Sequence, residues 1–313
     1  MKWLNRCLCL LWVWLPAVGM AQVLTPETWP KPTVGDTLRV KPADAWLWRI
    51  SHSAYDHLSY VYAIMPELPA EQFRLPTQLR LLARGQQKLV MGIDPSKPPR
   101  DLIHAVEVPL DSTLEVLLTE NDYQALKTWV QDSLSSLSYL KLQKRYPPSV
   151  LARQFMQDYC LDRVDGPPSV MVEYQVKKVL DLPLEVVGTG WTRVAWLDVY
   201  SYADQTWQLM HVFRDRAAQC EIYQAMIRAY LAQDLDRVWL LSQSAPDMGY
   251  HFGGLLEARN HAWMQFLRLH LPLENLVLVV NAAQLPGEYG LLHQLRQAGY
   301  EVTPVYLDPT MHR

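Results

Sequence analysis

Residues 276–302, LVLVVNAAQLPGEYGLLHQLRQAGYEV, decide the fold. The run Leu276 to Val280 is apolar at every position and stops at Asn281, as a strand buried on both faces does. Beyond a turn of Asn281, Ala282, Ala283 and Gln284, apolar residues recur at helical spacing, and GYEV opens a second strand. In α/β proteins such a strand-to-helix turn is where catalytic or ligand-binding side chains project, so these four residues are the first place to look for a site.

Working outward, AWLWRIS (45–51) and LSYVYAIM (58–65) are aromatic and β-branched runs that predict a hairpin or neighbouring strands. TQLRLLARG (77–85) predicts a short helix ending at Gly85, and KLVMGID (88–94) a buried strand. From Thr119 to about Ala232 the period becomes helical, in NDYQALKTWVQ (121–131), SVLARQFMQDYCL (149–161) and AQCEIYQAMIRAYLAQ (218–233). LPLEVVGTG (182–190) interrupts this block as a further strand, and Thr192 to Arg214 is left unassigned. LLEARNHAWMQFLRL (255–269) is an amphipathic helix leading into the 276–280 strand. Strands at both ends of the chain with helices between them predict an α/β (α+β mixed) fold, with a central mixed sheet built from both ends.

The start, MKWLNRCLCLLWVWLPAVGMAQ, has the layout of a secretory signal peptide over residues 1–21, with cleavage after Ala21. Its apolar run is shorter than the roughly 20 residues a membrane span needs, so no stable span is expected after cleavage. A periplasmic or secreted location follows as an expectation, with 22–313 as a single domain because no linker-like tract divides it. A formal charge of −3 with both signs interspersed argues against nucleic acid and anionic lipid as partners. Cys160 and Cys220 are compatible with one disulfide in an oxidising compartment or with two buried thiols.

The short signatures of common catalytic sites, including Gly-x-Ser-x-Gly, His-Glu-x-x-His, a P-loop and paired Cys-x-x-Cys, are missing. The GTG at 188–190 reads as a turn. Of the 9 histidines, His52 and His57 form the one close set, and with Asp56 they read as surface-turn residues rather than ligands. His211, His251 and His261 have no second histidine at i+4 and read as satisfied or exposed histidines rather than ligands.

LWRIS followed by LSYVYAIMPELP, then LLTENDYQALKTWV, LLEARNHAWM and the 276–302 segment occur in an order that resembles the TraB/GumN family, whose members include the TIKI-type metal-dependent proteases. The resemblance covers nearly the whole chain after the leader. It implies an EreA/ChaN-like fold in which strand-end turns surround a shared cleft and carry two Gly-x-x-His motifs and two acids that hold a metal. This chain has Ala63, Ile64, Met65 and Pro66 at the first motif, and Asn281, Ala282, Ala283 and Gln284 at the second. The acids fall near Gly92 and Gly188. A catalytic metal needs several convergent donors, which proline and glycine side chains do not supply. The expectation is therefore a family member without the metal centre and without a cofactor, acting by binding a peptide, a glycan or an envelope protein.

Asn281, tolerant of positive φ, is expected to keep the shape of its turn. Asp94, two positions beyond Gly92 and on the same face if the strand continues, is a candidate compensating carboxylate or a turn cap. Arg259 and Asn260 match the family and serve either an anionic ligand or the fold. The alternative is a hydrolase or peptidase that uses a divalent metal such as Zn or Mn in a site rebuilt from Asp94, His57, His251 or Glu288. A third possibility is an assembly role with no small ligand.

Overall fold

The computed structural model describes residues 45–96, 108–161, 169–187, 200–243 and 252–306. The leader at 1–21, Gly188 and His251 lie outside them. The strands are β1 (Leu47–His52), β2 (Tyr55–Ile64), β3 (Glu67–Pro69), β4 (Lys88–Met91), β5 (Ser169–Met171), β6 (Leu184–Val186), β7 (Leu276–Asn281) and β8 (Glu301–Val305). Helices are α1 (Thr77–Ala83), α2 (Leu114–Leu117), α3 (Glu120–Ser133), α4 (Ser136–Gln143), α5 (Pro148–Cys160), α6 (Val172–Leu180), α7 (Tyr202–Arg214), α8 (Arg216–Leu231), α9 (Leu235–Ser242), α10 (Phe252–His270) and α11 (Leu291–Gln297).

β7 is apolar throughout because it lies inside the sheet and is covered on both faces, with Leu276 to Val280 buried. The six-stranded order is β6-β4-β7-β2-β1-β8. The β6/β4, β4/β7 and β7/β2 pairs are parallel, and β2/β1 and β1/β8 antiparallel, so the sheet is mixed and both chain ends build it. β3 and β5 form a separate two-stranded sheet. Parallel register opposes Ile64 to Asn281, which brings the exits of β2 and β7 side by side.

The helical block has its own apolar centre, including Leu126, Val130, Leu151, Phe155, Leu209 and Val212. Thr119, Ser135, Ser201 and Asp234 start α3, α4, α7 and α9 by accepting a backbone N–H from the first turn, which satisfies donors the helix leaves open. A disulfide joins Cys160 at the end of α5 to Cys220 in α8, with Cα atoms 5.3 Å apart. The end of α8 is fastened to the sheet: the Trp46 indole donates to Tyr230 O at 2.6 Å, and the Tyr230 hydroxyl donates to Ala63 O at 3.1 Å.

Several expectations are corrected. β4 ends at Met91, so strand alternation does not extend to Asp94. The strand expected over 182–190 is confined to Leu184–Val186 among the described residues. Residues 202–214, left unassigned from sequence, are helical, and no described helix is long and apolar enough to cross a membrane.

Candidate functional site

The exits of β2 and β7 open onto a cleft with a free volume of about 80 Å³, room for a terminal group or several waters. Met65 and Pro66 follow β2, and the Pro66 carbonyl accepts the Val172 N–H at 2.9 Å. Asn281 and Ala283 follow β7. Asn281 has φ −57° and ψ 132°, not the expected positive φ. It shapes the turn through its side chain, with Oδ1 accepting the Ala283 N–H at 3.0 Å ahead of a 3₁₀ turn at Ala282–Gln284. The positive φ of this stretch falls later, at Gly287.

The opposite wall is helical. Arg153, Met156 and Gln157 come from one face of α5, Tyr223 and Met226 from one face of α8, and Arg259 from α10. Their i, i+3, i+4 spacing is visible in the sequence. It marks a helix face, however, and says nothing about which surface that face meets.

Among the described residues that line the cleft, Glu67 is the one carboxylate, and no histidine or cysteine is present. Thioethers from Met65, Met156 and Met226 and guanidinium groups from Arg153 and Arg259 dominate instead. Gln284 does not point its amide into this space: it is 8% exposed, and its Nε2 donates to Asn260 Oδ1 at 3.1 Å. These residues do not fit the metal that the resemblance implies. At Gly92, just past β4, a β-carbon would meet nothing within 4 Å, so there is room for a side chain at that position.

Asn260 belongs to the frame. It is fully buried, and its Nδ2 donates to Gln284 O at 3.0 Å and Tyr289 O at 2.7 Å. Through this one side chain α10 holds both ends of the segment after β7. Its neighbour Arg259 faces the cleft.

Asp94 sits in the loop after β4, where it receives the Lys177 ammonium at 2.7 Å and the Ser96 N–H and hydroxyl at 3.0 and 2.6 Å. Partial burial pushes its carboxyl up, but Lys177 and Ser96 outweigh that effect and hold it down at about 2. A lowered folded-state value means stabilisation that is complete above the ordinary range near 4 and fades as pH falls toward 2. Asp94→Asn is therefore expected to lower the unfolding free energy by on the order of 1–2 kcal/mol at pH 7, with the difference from wild type vanishing near pH 2. Urea titrations across that range measure it. An equal loss at both pH values would mean that the ion pair is not the source.

His57 lies on β2 within an aromatic group, its ring centroid 6.1 Å from that of Tyr55, and Glu288 lies in the turn after Gly287. Among the described residues, Asp94, His57 and Glu288 form no convergent donor set. The trio that does converge is Glu185, His270 and Glu274. It gathers residues from β6, the end of α10 and the approach to β7, at the opposite end of the parallel strands from the cleft. Of these, only His270 and Glu274 show a local spacing in the sequence, at i, i+4.

No curated protein and no solved structure matches the chain. A sequence model of the TraB/PrgY/gumN family matches residues 46–304, from the start of the hairpin to the last strand, and the chain belongs to that family.

Proposed function

We propose that this chain is an exported, non-catalytic member of its family that acts in the cell envelope by binding a peptide segment in the cleft at the exits of β2 and β7. The observation that carries this reading is the lining itself, which pairs three methionines with Arg153 and Arg259 where the family resemblance implies imidazoles. Methionine adapts to apolar side chains of varied shape, and guanidinium groups grip carboxylates. A glycan wants aromatic faces to stack on, and the described lining offers one, Tyr223. A peptide with an apolar residue beside a carboxylate matches the groups present. Export rests on the leader-like start of the chain.

The test is to incubate the purified chain with unstructured peptides in the presence of Zn²⁺, Mn²⁺ or Co²⁺ in turn. No cleavage is expected, while peptides with a free C-terminal carboxylate or acidic side chains bind. Replacing Arg153 and Arg259 together by alanine should weaken that binding at least tenfold, about 1.4 kcal/mol. Metal-dependent cleavage that a chelator abolishes would establish the rebuilt hydrolase in place of this reading.

A further inference from the structure

We propose that Glu185, His270 and Glu274 form a divalent-cation site of the Zn²⁺ type, separate from the cleft, whose position Lys88 holds with its own ammonium until the ion displaces it. Lys88 Nζ lies 2.8 Å from Glu185 Oε2 and 2.8 Å from Glu274 Oε2, so two carboxylates from different elements already converge on one positive charge. His270 completes the ring, with Nδ1 3.4 Å from Glu274 Oε1 and Nε2 3.8 Å from Glu185 Oε1. One donor atom from each of the three residues lies within 4.8 Å of the others, a spread that small side-chain rotations close to the bond lengths of about 2 Å that zinc requires. Imidazole with carboxylates is a donor set suited to zinc.

The site is braced in the way metal ligands are. The His270 ring stacks on Phe266 with centroids 4.0 Å apart, which limits its rotation. The backbone carrying Glu274 is fastened on both sides: Asn275 Oδ1 accepts the Leu58 N–H at 2.9 Å, Asn275 N donates to Gln87 Oε1 at 2.8 Å, and Ser59 Oγ accepts the Leu276 N–H at 3.0 Å. Such supporting bonds fix ligand direction before an ion arrives.

The existing cation fits imperfectly. Lys88 makes its hydrogen bond to Glu274 Oε1 at 3.0 Å, while Oε2 is sealed from solvent and receives an ionic contact without an aligned hydrogen bond. Glu185 and Glu274 set two carboxylates against the single ammonium of Lys88. A divalent ion balances both carboxylates, and the Lys88 side chain, one-third exposed, can swing its charge into water. Bound there, the ion would tie the last turn of α10 to β6 and to the entry end of β7. The same helix presents Arg259, 11 residues earlier and about 16 Å along its axis.

The experiment uses the full chain purified without an affinity tag, stripped with chelator and titrated with Zn²⁺ alone. One ion per chain with micromolar or tighter affinity is expected, together with a rise in thermal midpoint. His270→Ala and Glu274→Gln should each weaken binding at least tenfold, with His57→Ala unchanged as the control for adventitious histidine. Lys88→Met should tighten binding at least tenfold, because it removes the competing charge while leaving every ligand in place; a structural ion-pair network makes no such prediction. Folding of each variant is checked by circular dichroism, and Lys88→Met decides the matter if the ligand variants unfold. Failure to bind one ion at micromolar Zn²⁺, weaker or unchanged binding in Lys88→Met, or full binding in folded His270→Ala would each overturn the site.

Discussion

Asn260→Ala is expected to lower the unfolding free energy by about 3–4 kcal/mol, since each buried polar group left without a partner costs roughly 1–3 kcal/mol. Two groups lose theirs at once, the carbonyl and the side-chain amide of Gln284, while the Tyr289 carbonyl keeps only the Gln294 amide at 2.8 Å. Asn260 and its bonds to Gln284 are buried, so water does not replace the missing amide there. Asn260→Asp tests the same point from the other side. It keeps an acceptor for Gln284 but turns a carboxylate oxygen toward two carbonyls, and is expected to be at least as damaging. Because the bridged segment follows the Asn281–Ala283 wall of the cleft, ligand binding should weaken along with stability. Chemical denaturation measures the first effect and peptide titration of the folded fraction the second. A loss under about 1 kcal/mol would mean that the 284–289 segment is held by something other than Asn260.

Removal of the disulfide, by Cys160→Ser with Cys220→Ser, is expected to destabilise the chain by up to about 4 kcal/mol, from the entropy of closing a loop of this size. The bond spans 60 residues and ties α5 to α8 inside the helical core. Gln157 lies one turn before Cys160, and Tyr223 lies three residues after Cys220, so the tie also sets the spacing of two helices that wall the cleft. The double variant, and wild type in reducing agent, should therefore lose peptide affinity and become sensitive to protease in the helical block before the sheet yields. Unchanged thermal midpoints in both would show that packing of Leu151, Phe155 and Leu209 holds these helices without help.

Much of the sheet was legible in the sequence because burial on both faces leaves a continuous apolar run, as in LVLVV, and because aromatic and β-branched clusters such as LSYVYAIM have few alternatives. The short β3 and β5 strands were not legible: three residues carry no period, and their pairing depends on contacts across the chain. Asn281 shows a different limit. Its residue type favours either a positive φ or a side-chain cap, and only the path of the chain selects the cap seen here. For the site, the sequence shows directly that Pro66 and Gln284 offer no imidazole. The wall opposite could not, because Arg153 and Arg259 are ordinary helix-surface arginines until the helices are docked. Lys88, Glu185 and Glu274 likewise come together only through the parallel pairing of β4 with β6 and β7.

The mixed sheet has a consequence for biogenesis. The Leu58 amide pairs with a residue 217 positions later, and β2 has β7 as its other edge partner beside β1. At a synthesis rate of about 5–20 residues per second, the nascent hairpin waits on the order of 10–40 s for that partner to leave the ribosome. During this interval its apolar edge, Val61 to Ile64, is unpaired and open to aggregation or capture by a chaperone. A chain that cannot close its central layer until its last strands exist leaves that layer open through most of its own translation.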